Sequence, residues 1–399
     1  MIQADFFKRN REKLLERLGS GALVVLAANG EMQQAHDMEA PFLQEPQFWY
    51  LSGIHKPNWW LIIDGNGKTI AVSPEMDEVD TAFNGELSAA EATSISGVDQ
   101  VVSHDEGERL LRTLARKHSL VYTIDHAEYI RKHLHCHLNP TVKDMWSLLE
   151  RTFQRVENCS KDIWALRTIK QPVEIEAMRR AARVTCEAFE AMKQEIMTYK
   201  YEYEAEARLT YEIRRRGADG HAYTPIVASG KNSCTLHYFR NNLPIQKRKF
   251  LLFDVGARYD NYSADISRTY AIGDVSKRAQ AVHDAVRVAQ ADMIAHMNPG
   301  IALTEYREQS ENFMKRELIN LKLDPEKLYD YMPHAVSHGL GIDPHDVTSG
   351  YDVLTPGMVL TAELGIYLPE EGIGVRLEDD ILITDKGHKN LSGSLDTNY

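Results

Sequence analysis

Residues 250–270 read FLLFDVGARYDNYSADISRTY, an apolar run followed by a polar turn and a second strand-like run. The pattern predicts a β-hairpin that turns at Tyr259-Asp260-Asn261. Asp254 and Asp265 lie symmetrically about that turn, so we expect them opposite each other on one face, with Cβ atoms ~5 Å apart. Two like charges at that distance repel each other unless a cation or a proton lies between them.

A second hairpin of the same kind is predicted towards the carboxyl end of the chain. The runs VLTAE (359–363) and GVRLE (374–378) flank the turn-like PEEG (369–372), which places Glu363 opposite Glu378. A single acidic residue at a strand end commonly just caps a turn. Two symmetric pairs among apolar neighbours indicate instead a buried acidic cluster that protons, cations or metal must neutralise.

The composition is that of a globular chain with an acidic surface. Its 399 residues are 43% hydrophobic and carry a formal net charge of −12, a sign that repels phosphate backbones and anionic lipid. The longest apolar stretch near the start, residues 22–28, is far shorter than the roughly 20 residues of a membrane-spanning helix. Residues 1–18 lack the apolar region of a signal peptide. We therefore expect no nucleic-acid partner, no membrane partner and a cytoplasmic location.

Residues 1–160 are predicted to form an α/β domain. Short apolar runs typical of strands alternate with amphipathic stretches typical of helices. Asn66-Gly67 marks a tight hairpin turn because both residues tolerate positive φ. We expect residues 161–171 to link this domain to the next. The predicted strands are 22–26, 59–63, 70–72 and 120–124, and the predicted helices are 6–18, 106–117 and 141–150.

Residues 172–399 are predicted to form a second, α+β domain. Pro172 suits the first position of a long helix, Gly217 suits the end of a second helix, and Ser276 suits the N-cap of a third. The order helix, helix, strands occurs twice, which predicts a duplicated arrangement. The predicted helices begin near 172, 204, 277 and 304, and the predicted strands occupy 226–272 and resume near 334.

His334-Ala-Val-Ser-His338 places two imidazoles four residues apart, a spacing that superficially resembles the helical HxxxH of zinc enzymes. Gly339 and Gly341 argue against a helix there, and the Glu of an HExxH motif is missing. We therefore interpret His338 as a ligand on a strand or loop. With the four carboxylates it makes an oxygen-rich set that suits Mn²⁺ or a similar hard divalent ion and is large enough for two metals.

These residues resemble a known family. The order of the five candidate ligands closely resembles the site of the dinuclear metallopeptidases with the pita-bread fold, and the neighbouring sequence is similar to the Xaa-Pro peptidases, prolidase and aminopeptidase P. Leu364 departs from the pattern, since the family usually has Pro there. The matching segments are IVASGKNSCTLHY (226–238), HAVSHGLGIDPHD (334–346), GVRLEDD (374–380) and, in the amino-terminal domain, QFWYLSG (47–53).

The resemblance implies a creatinase-type amino-terminal domain, a pita-bread catalytic domain, a homodimer, and hydrolysis of the bond between a first residue and a proline. It also implies two divalent metal ions, Mn²⁺ foremost with Co²⁺ or Zn²⁺ as alternatives. Asp265 and Glu378 would bridge the two ions. The implied metal ligands are Asp254, Asp265, His338, Glu363 and Glu378, and His237, His334, His345 and Arg376 occupy positions that contact these ligands or the substrate.

Such a site would hydrolyse amides without a protein nucleophile, because paired divalent ions activate water and polarise a carbonyl group. Glu378 would accept a proton and pass it towards the leaving nitrogen, while His237 or His345 stabilises the tetrahedral oxyanion. Tyr238, His334 and His345 are candidate walls of an apolar pocket for the proline ring.

Three features bear on the choice between dipeptides and longer peptides. The segment QFWYLSG (47–53) favours aminopeptidase P, whereas 399 residues is compact for two such domains and Arg240 supplies a cation. This cation lies three residues after His237, and a charge-assisted contact with the free carboxylate of a dipeptide would favour dipeptides. We therefore favour an Xaa-Pro dipeptidase (prolidase), with an Xaa-Pro aminopeptidase (aminopeptidase P) acting on longer peptides as the alternative.

Three functions other than that of an Xaa-Pro peptidase are alternatives. A creatinase-like hydrolase of small guanidino compounds and a metal-free pseudo-peptidase that only binds ligands would both have lost metal ligands, whereas all five ligand types are present. A structural protein could bind calcium through its acidic hairpins, but His338 is a poor calcium ligand.

Overall fold

The structure is a computed structural model that describes residues 2–126 and 137–399. The chain divides into two compact units, Met1–Arg167 and Thr168–Tyr399. The boundary falls within residues 161–171, which were predicted to be a linker. Most of that stretch is helical, because the sequence SKDIWALRT at 160–168 contains no Gly or Pro to interrupt a helix.

The first unit is α/β, as the alternation of apolar runs predicted. Its helices are α1 (Ala4–Leu18), α2 (Pro46–Ser52), α3 (Glu78–Asn84), α4 (Ala89–Ser96), α5 (His104–Leu114), α6 (Thr141–Thr152) and α7 (Ser160–Thr168). Its strands are β1 (Leu23–Ala27), β2 (Gln33–Ala35), β3 (Met38–Glu39), β4 (Trp60–Asp64), β5 (Thr69–Ser73), β6 (Gln100–Ser103), β7 (Leu120–Thr123) and β8 (Arg155–Asn158). Six of these strands form a mixed sheet in the order β6-β5-β4-β1-β7-β8, and β2 pairs with β3.

One buried apolar cluster of this unit lies between the six-stranded sheet and helices α5 and α6. Leu23 and Val25 of β1 belong to the same buried cluster as Leu111 of α5 and Leu149 of α6. The hairpin predicted at Asn66-Gly67 is confirmed, because β4 and β5 on either side of it pair antiparallel.

The segment QFWYLSG (47–53) has a structural role. It forms helix α2, whose Trp49 and Tyr50 make edge-to-face ring contacts with Phe7 and Phe6 of α1, each with centroids 5.6 Å apart. Gly53 ends the helix with φ 70°, and a Cβ there would lie 2.4 Å from the Phe7 ring. The motif therefore serves to pack α2 against α1.

The second unit contains the residues predicted to form the functional site. Among the described residues, no helix combines the length and the apolar character needed to cross a membrane. The helices of the second unit are α8 (Pro172–Lys193), α9 (Glu202–Arg215), α10 (Lys277–His296), α11 (Leu303–Asn320) and α12 (Leu328–Tyr331), with 3₁₀ turns at Gly230–Cys234 and Pro325–Lys327. Its strands are β9 (Gly220–His221), β10 (Ile226–Ser229), β11 (Phe250–Val255), β12 (Ala257–Tyr259), β13 (Tyr262–Ser263), β14 (Ile266–Ala271), β15 (Val359–Leu368), β16 (Ile373–Thr384) and β17 (Gly387–Asn390).

The predicted duplication of helix, helix, strands is confirmed. The main sheet has the order β10-β11-β14-β16-β15, with β17 on β16, and β13, β12 and β9 form a small second sheet. Phe189 of α8 and Leu209 of α9 share a buried cluster with Phe253 of β11. Val286 of α10 and Met314 of α11 share another with β15 and β16. Each helix pair therefore covers the strands that follow it in the sequence.

The first carboxylate hairpin differs from its prediction in register. Asp254 on β11 lies opposite Ser267 on β14, and not opposite Asp265. The turn explains the difference, because Asp260 and Asn261 both have positive φ, 46° and 65°, and so form a two-residue turn centred later than expected. Asp265 still faces the same side as Asp254, since residues two apart on a strand share a face.

Candidate metal centre

A row of polar side chains crosses the main sheet. Glu363 on β15 lies opposite Glu378 on β16, as predicted. Glu378 in turn pairs with Ser267 on β14, and Ser267 pairs with Asp254 on β11. Because cross-strand neighbours share a face, the four side chains project from the same side of the sheet. The pairing of β14 with β16 therefore joins the two predicted hairpins into one site.

Residues two positions away along the strands add to the same face. Asp265, two residues before Ser267, is only 4% exposed. Asp380, two residues after Glu378, accepts a hydrogen bond of 3.2 Å from the backbone N–H of Asp265. The backbone of the ligand candidate is thus fixed by a second buried carboxylate.

His338 reaches the row from an irregular segment beside β15 and not from a helix, as the nearby glycines predicted. Its carbonyl accepts a hydrogen bond of 2.9 Å from the N–H of Thr361. Its Nδ1 lies 3.0 Å from the carbonyl oxygen of Gly339. The ring thereby turns Nε2 towards the carboxylates. Nε2 lies 3.7 Å from Asp265 Oδ2, 3.7 Å from Glu378 Oε1 and 4.0 Å from Glu363 Oε2.

The candidate ligands form three overlapping groups, within each of which the donor atoms lie within 4.8 Å of one another. Asp265, Glu378 and His338 each belong to two of the groups. Such overlap is what two neighbouring cations with shared ligands require. The groups are Asp254-Asp265-Glu378, His338-Glu363-Glu378 and Asp265-His338-His345.

The crowding of these groups shifts their titration. Burial, and then the charges of Glu378 and Asp254, raise the pKa of Asp265 well above its usual range. Burial and Glu378 raise the pKa of Glu363 to about 8. Burial alone would lower the pKa of His338, but Glu378 and Glu363 outweigh it and raise the pKa to about 9. The cluster therefore needs positive charge, and its oxygen donors with one imidazole fit hard divalent cations.

Two further residues that contact the carboxylates were not predicted from the sequence. The Tyr223 hydroxyl lies 2.6 Å from Oδ1 of both Asp254 and Asp265, and Ser267 Oγ donates a hydrogen bond of 2.9 Å to Glu378 Oε2. The alternation of faces along β14 could have revealed Ser267. Tyr223 precedes both hairpins, so their symmetry carried no signal for it.

Arg376 forms hydrogen bonds with two residues of the row, Asp254 and Ser267, and with Tyr367 beside it. Its guanidinium donates hydrogen bonds to Asp254 Oδ2 (2.6 Å), Ser267 Oγ (3.0 Å) and the Tyr367 hydroxyl (2.9 Å). A guanidinium is planar and always charged, so these contacts orient the Asp254 carboxylate and partly neutralise it. Arg376 therefore acts on the candidate ligands directly.

His334 is held by the protein through both ring nitrogens. Its Nδ1 lies 2.9 Å from the Ala335 carbonyl oxygen, and its Nε2 lies 3.1 Å from the Tyr367 hydroxyl. Burial lowers the pKa of His334 to about 4, so the ring is neutral at pH 7. Nδ1 therefore donates to Ala335, and Nε2 accepts from Tyr367.

The structure brings His237 and His345 to the exposed side of the cluster. The ring of His345 lies against that of His338, with centroids 4.4 Å apart. His237 stacks on Phe239, with centroids 5.4 Å apart. Partial burial lowers the pKa of His345, and its neighbours His338 and His237 lower it further. Both imidazoles are exposed enough to meet a ligand that enters from solvent.

The two candidate substrate residues differ in their surroundings. The Tyr238 hydroxyl donates a hydrogen bond of 2.9 Å to Glu202 Oε2, so that hydroxyl is already engaged within the protein. Arg240 is exposed on the same loop.

The chain is similar to known metallopeptidases. The chain matches metallopeptidase family M24 over residues 176–385 and the aminopeptidase P, N-terminal domain over residues 7–122. It is 29% identical to the Xaa-Pro aminopeptidase of Escherichia coli (strain K12), over 99% of this chain and 96% of that protein. It is 34% identical to the Xaa-Pro dipeptidase of Pyrococcus furiosus, over 61% of this chain and 67% of that protein. The structure of aminopeptidase P from E. coli superposes with a TM-score of 0.88 at 27% identity, over 100% of this chain and 96% of that chain.

Proposed function

Since this chain belongs to metallopeptidase family M24, among the Xaa-Pro peptidases of the pita-bread fold, we propose that it is an Xaa-Pro aminopeptidase. It would release the first residue of peptides whose second residue is proline. The observation that carries metal-dependent hydrolysis is the cluster of four carboxylates and His338 at one face of the main sheet, and the similarity to Xaa-Pro aminopeptidase and aminopeptidase P supports the substrate class.

We propose that Asp254, Asp265, His338, Glu363 and Glu378 hold two divalent metal ions. When bound, such ions supply a Lewis acid and an activated water. Their donor set favours Mn²⁺.

The protein's own groups would then handle the proton and the developing charge. Ser267 donates a hydrogen bond to Oε2 of Glu378 and so orients that carboxylate, whose Oε1 is turned towards His338. Glu378 would pass a proton to the leaving nitrogen. The exposed imidazoles of His237 and His345 would stabilise the oxyanion. Arg376, already bound to Asp254, would keep that carboxylate oriented.

The dipeptidase interpretation has less support. The Xaa-Pro aminopeptidase relative matches 99% of this chain, whereas the Xaa-Pro dipeptidase relative matches 61%, and residues 7–122 match the N-terminal domain of aminopeptidase P. Arg240 is exposed on its loop, where solvent screening weakens its hold on a free carboxylate.

A substrate series tests this choice. We expect Xaa-Pro-Xaa tripeptides and Xaa-Pro-amides to be cleaved at least as fast as Xaa-Pro dipeptides, with little change in Arg240→Ala. Cleavage of the dipeptide alone, lost in Arg240→Ala, would restore the dipeptidase interpretation. Cleavage of none of the three by the Mn²⁺-loaded protein would refute the proposed function.

Two finer inferences accompany the proposal. We infer two divalent ions per chain, which metal analysis of the purified protein measures directly, and chelation should abolish peptide hydrolysis while added Mn²⁺ restores it. From the family resemblance we also infer a homodimer, which sedimentation equilibrium tests.

A further inference from the structure

Glu202 is a fully buried carboxylate that the proposed mechanism does not use. It is the first residue of helix α9 and is 0% exposed. Its two oxygens accept four hydrogen bonds. Oε1 accepts from the backbone N–H of Ser229 at 2.8 Å and from Asn232 Nδ2 at 2.9 Å. Oε2 accepts from the Tyr238 hydroxyl at 2.9 Å and from the backbone N–H of Leu243 at 3.0 Å.

These donors come from both ends of the segment that carries His237. Ser229 and Asn232 lie before it, and Tyr238 and Leu243 lie within or after it. We call residues 235–243 the His237 loop. The backbone N–H of Glu202 also donates to the Leu243 carbonyl oxygen at 3.1 Å, so one residue of α9 ties down the end of the loop twice.

A second glutamate one helical turn later holds the middle of the loop. Glu206 Oε2 accepts a hydrogen bond of 2.9 Å from Nδ2 of Asn241. Asn241 is 1% exposed and has φ 45°, and its side chain also bonds Val227 N–H and the Pro225 carbonyl, each at 2.9 Å. Residues four apart on a helix share a face, so Glu202 and Glu206 present a paired acidic face to the loop.

We propose that Glu202 is a positioning residue that sets the location of His237, an inference that rests on the proposed function. It carries no chemistry itself. It holds an exposed loop in one position, because breaking any of its four contacts would leave a buried donor, as at Ser229, or a partly buried donor without its partner. His237, whose neighbour His345 packs on His338, is then in place at the exposed side of the cluster before substrate arrives, as preorganised stabilisation of an oxyanion requires.

The variant Glu202→Gln tests the proposal with almost no change in volume. A glutamine keeps one acceptor oxygen and replaces the other with an N–H₂ group. Whichever way the amide is turned, that group meets a backbone N–H, either of Ser229 or of Leu243, which cannot accept a hydrogen bond. We expect kcat to fall about tenfold or more while bound metal stays unchanged.

Glu212→Gln is the matched control. Glu212 lies on the same helix, is 1% exposed and pairs with Arg208, Arg215 and Arg216, none of which belongs to the His237 loop. We expect the free energy of unfolding of Glu212→Gln to fall as it does in Glu202→Gln, while kcat of Glu212→Gln stays at the wild-type value. Equal losses of kcat in the two variants would overturn the proposal.

A double variant separates positioning from general destabilisation. If Glu202 acts through His237, adding Glu202→Gln to His237→Ala should lower kcat little beyond His237→Ala alone. Losses that multiply would mean that Glu202 acts elsewhere.

Hydrogen exchange provides a readout that needs no substrate. Amides of residues 235–243 should exchange faster in Glu202→Gln than in the wild type and in Glu212→Gln, and unchanged exchange would refute the proposal even if the protein cleaved no Xaa-Pro peptide. Should Glu202→Gln fail to fold, Tyr238→Phe removes one of the four hydrogen bonds and should give a smaller increase in exchange.

Discussion

The histidines of the site differ in what their ring nitrogens contact. Nδ1 of His338 contacts a backbone carbonyl oxygen, and Nε2 faces three carboxylates. This is the arrangement of a metal-binding imidazole whose tautomer is fixed by the protein. His334 has both nitrogens engaged within the protein. His237 and His345 are exposed. These surroundings predict different losses when each ring is removed.

Removing His338 should reduce metal binding, whereas removing His237 or His345 should not. We expect His338→Ala to lose metal and activity together. His237→Ala and His345→Ala should lose roughly 10²-fold in kcat at near-normal metal content, as expected for the loss of an oxyanion or proton-transfer partner. Metal analysis beside kinetics on the same preparations distinguishes these outcomes. Loss of metal in His345→Ala would make His345 a ligand, which its place in one of the three groups allows.

The first hairpin depends on a close approach between the backbones of Gly256 and Ala264. Gly256 follows β11, and a Cβ built there would lie 1.8 Å from the carbonyl oxygen of Ala264 and 3.0 Å from the Tyr223 ring. The obstacle is backbone, so no side-chain rotation could relieve it. The hairpin that carries Asp254 and Asp265 can close only with glycine at this position.

Gly256→Ala should therefore open the hairpin and weaken the site. We expect a loss of about 1–3 kcal/mol in the free energy of unfolding, the usual cost of overpacking, and a fall in metal affinity measured by titration calorimetry. Val255→Ala is the comparison, because Val255 is buried in the cluster on the helix side and its truncation should cost stability without altering metal affinity. Equal metal affinity in the two variants would contradict this account.

The candidate metal site makes the folding stability of the whole chain depend on pH. The raised pKa values of Asp265, Glu363 and His338 mean that these three groups hold more protons in the folded, metal-free chain than in the unfolded chain. The stabilisation from these protons is complete below the pKa values of the unfolded chain. It is lost as pH rises, through about 8 for Glu363 and about 9 for His338.

Metal-free protein should accordingly unfold at a lower temperature as pH rises from about 7 to about 9, where the histidines whose pKa values are lowered by burial are neutral in both the folded and the unfolded chain. Metal ions replace the same protons, so the increase in unfolding temperature from excess Mn²⁺ should grow over this range. Scanning calorimetry with and without chelator measures both effects. In Glu363→Gln the pH dependence of the metal-free protein should be weaker, which separates the site from the general charge of the chain. An increase from Mn²⁺ that did not vary with pH would contradict the linkage.

Much of the site could be predicted from the sequence because its parts are local. A strand alternates faces every second residue, so the symmetry of two hairpins indicated that their carboxylates share a face, and Glu363 and Glu378 lie opposite each other as predicted. The predicted partner of Asp254 was wrong by two residues, since Asp254 lies opposite Ser267 and not opposite Asp265. The position of the turn at Asp260 and Asn261 depends on small differences in backbone conformational energy. The pattern of apolar residues carries no information about those differences.

The fold class, the two hairpins and the candidate ligands could thus be predicted from the amino-acid sequence, since these follow from local periodicity and from motifs. Three contacts are visible only in the folded chain. Strand β14 pairs with β16, Tyr223 joins Asp254 to Asp265, and Glu202 holds the His237 loop. These contacts join segments far apart in the chain. Only the packing of the helices against the sheet brings them together, and no local repeat in the sequence records which distant segments will meet.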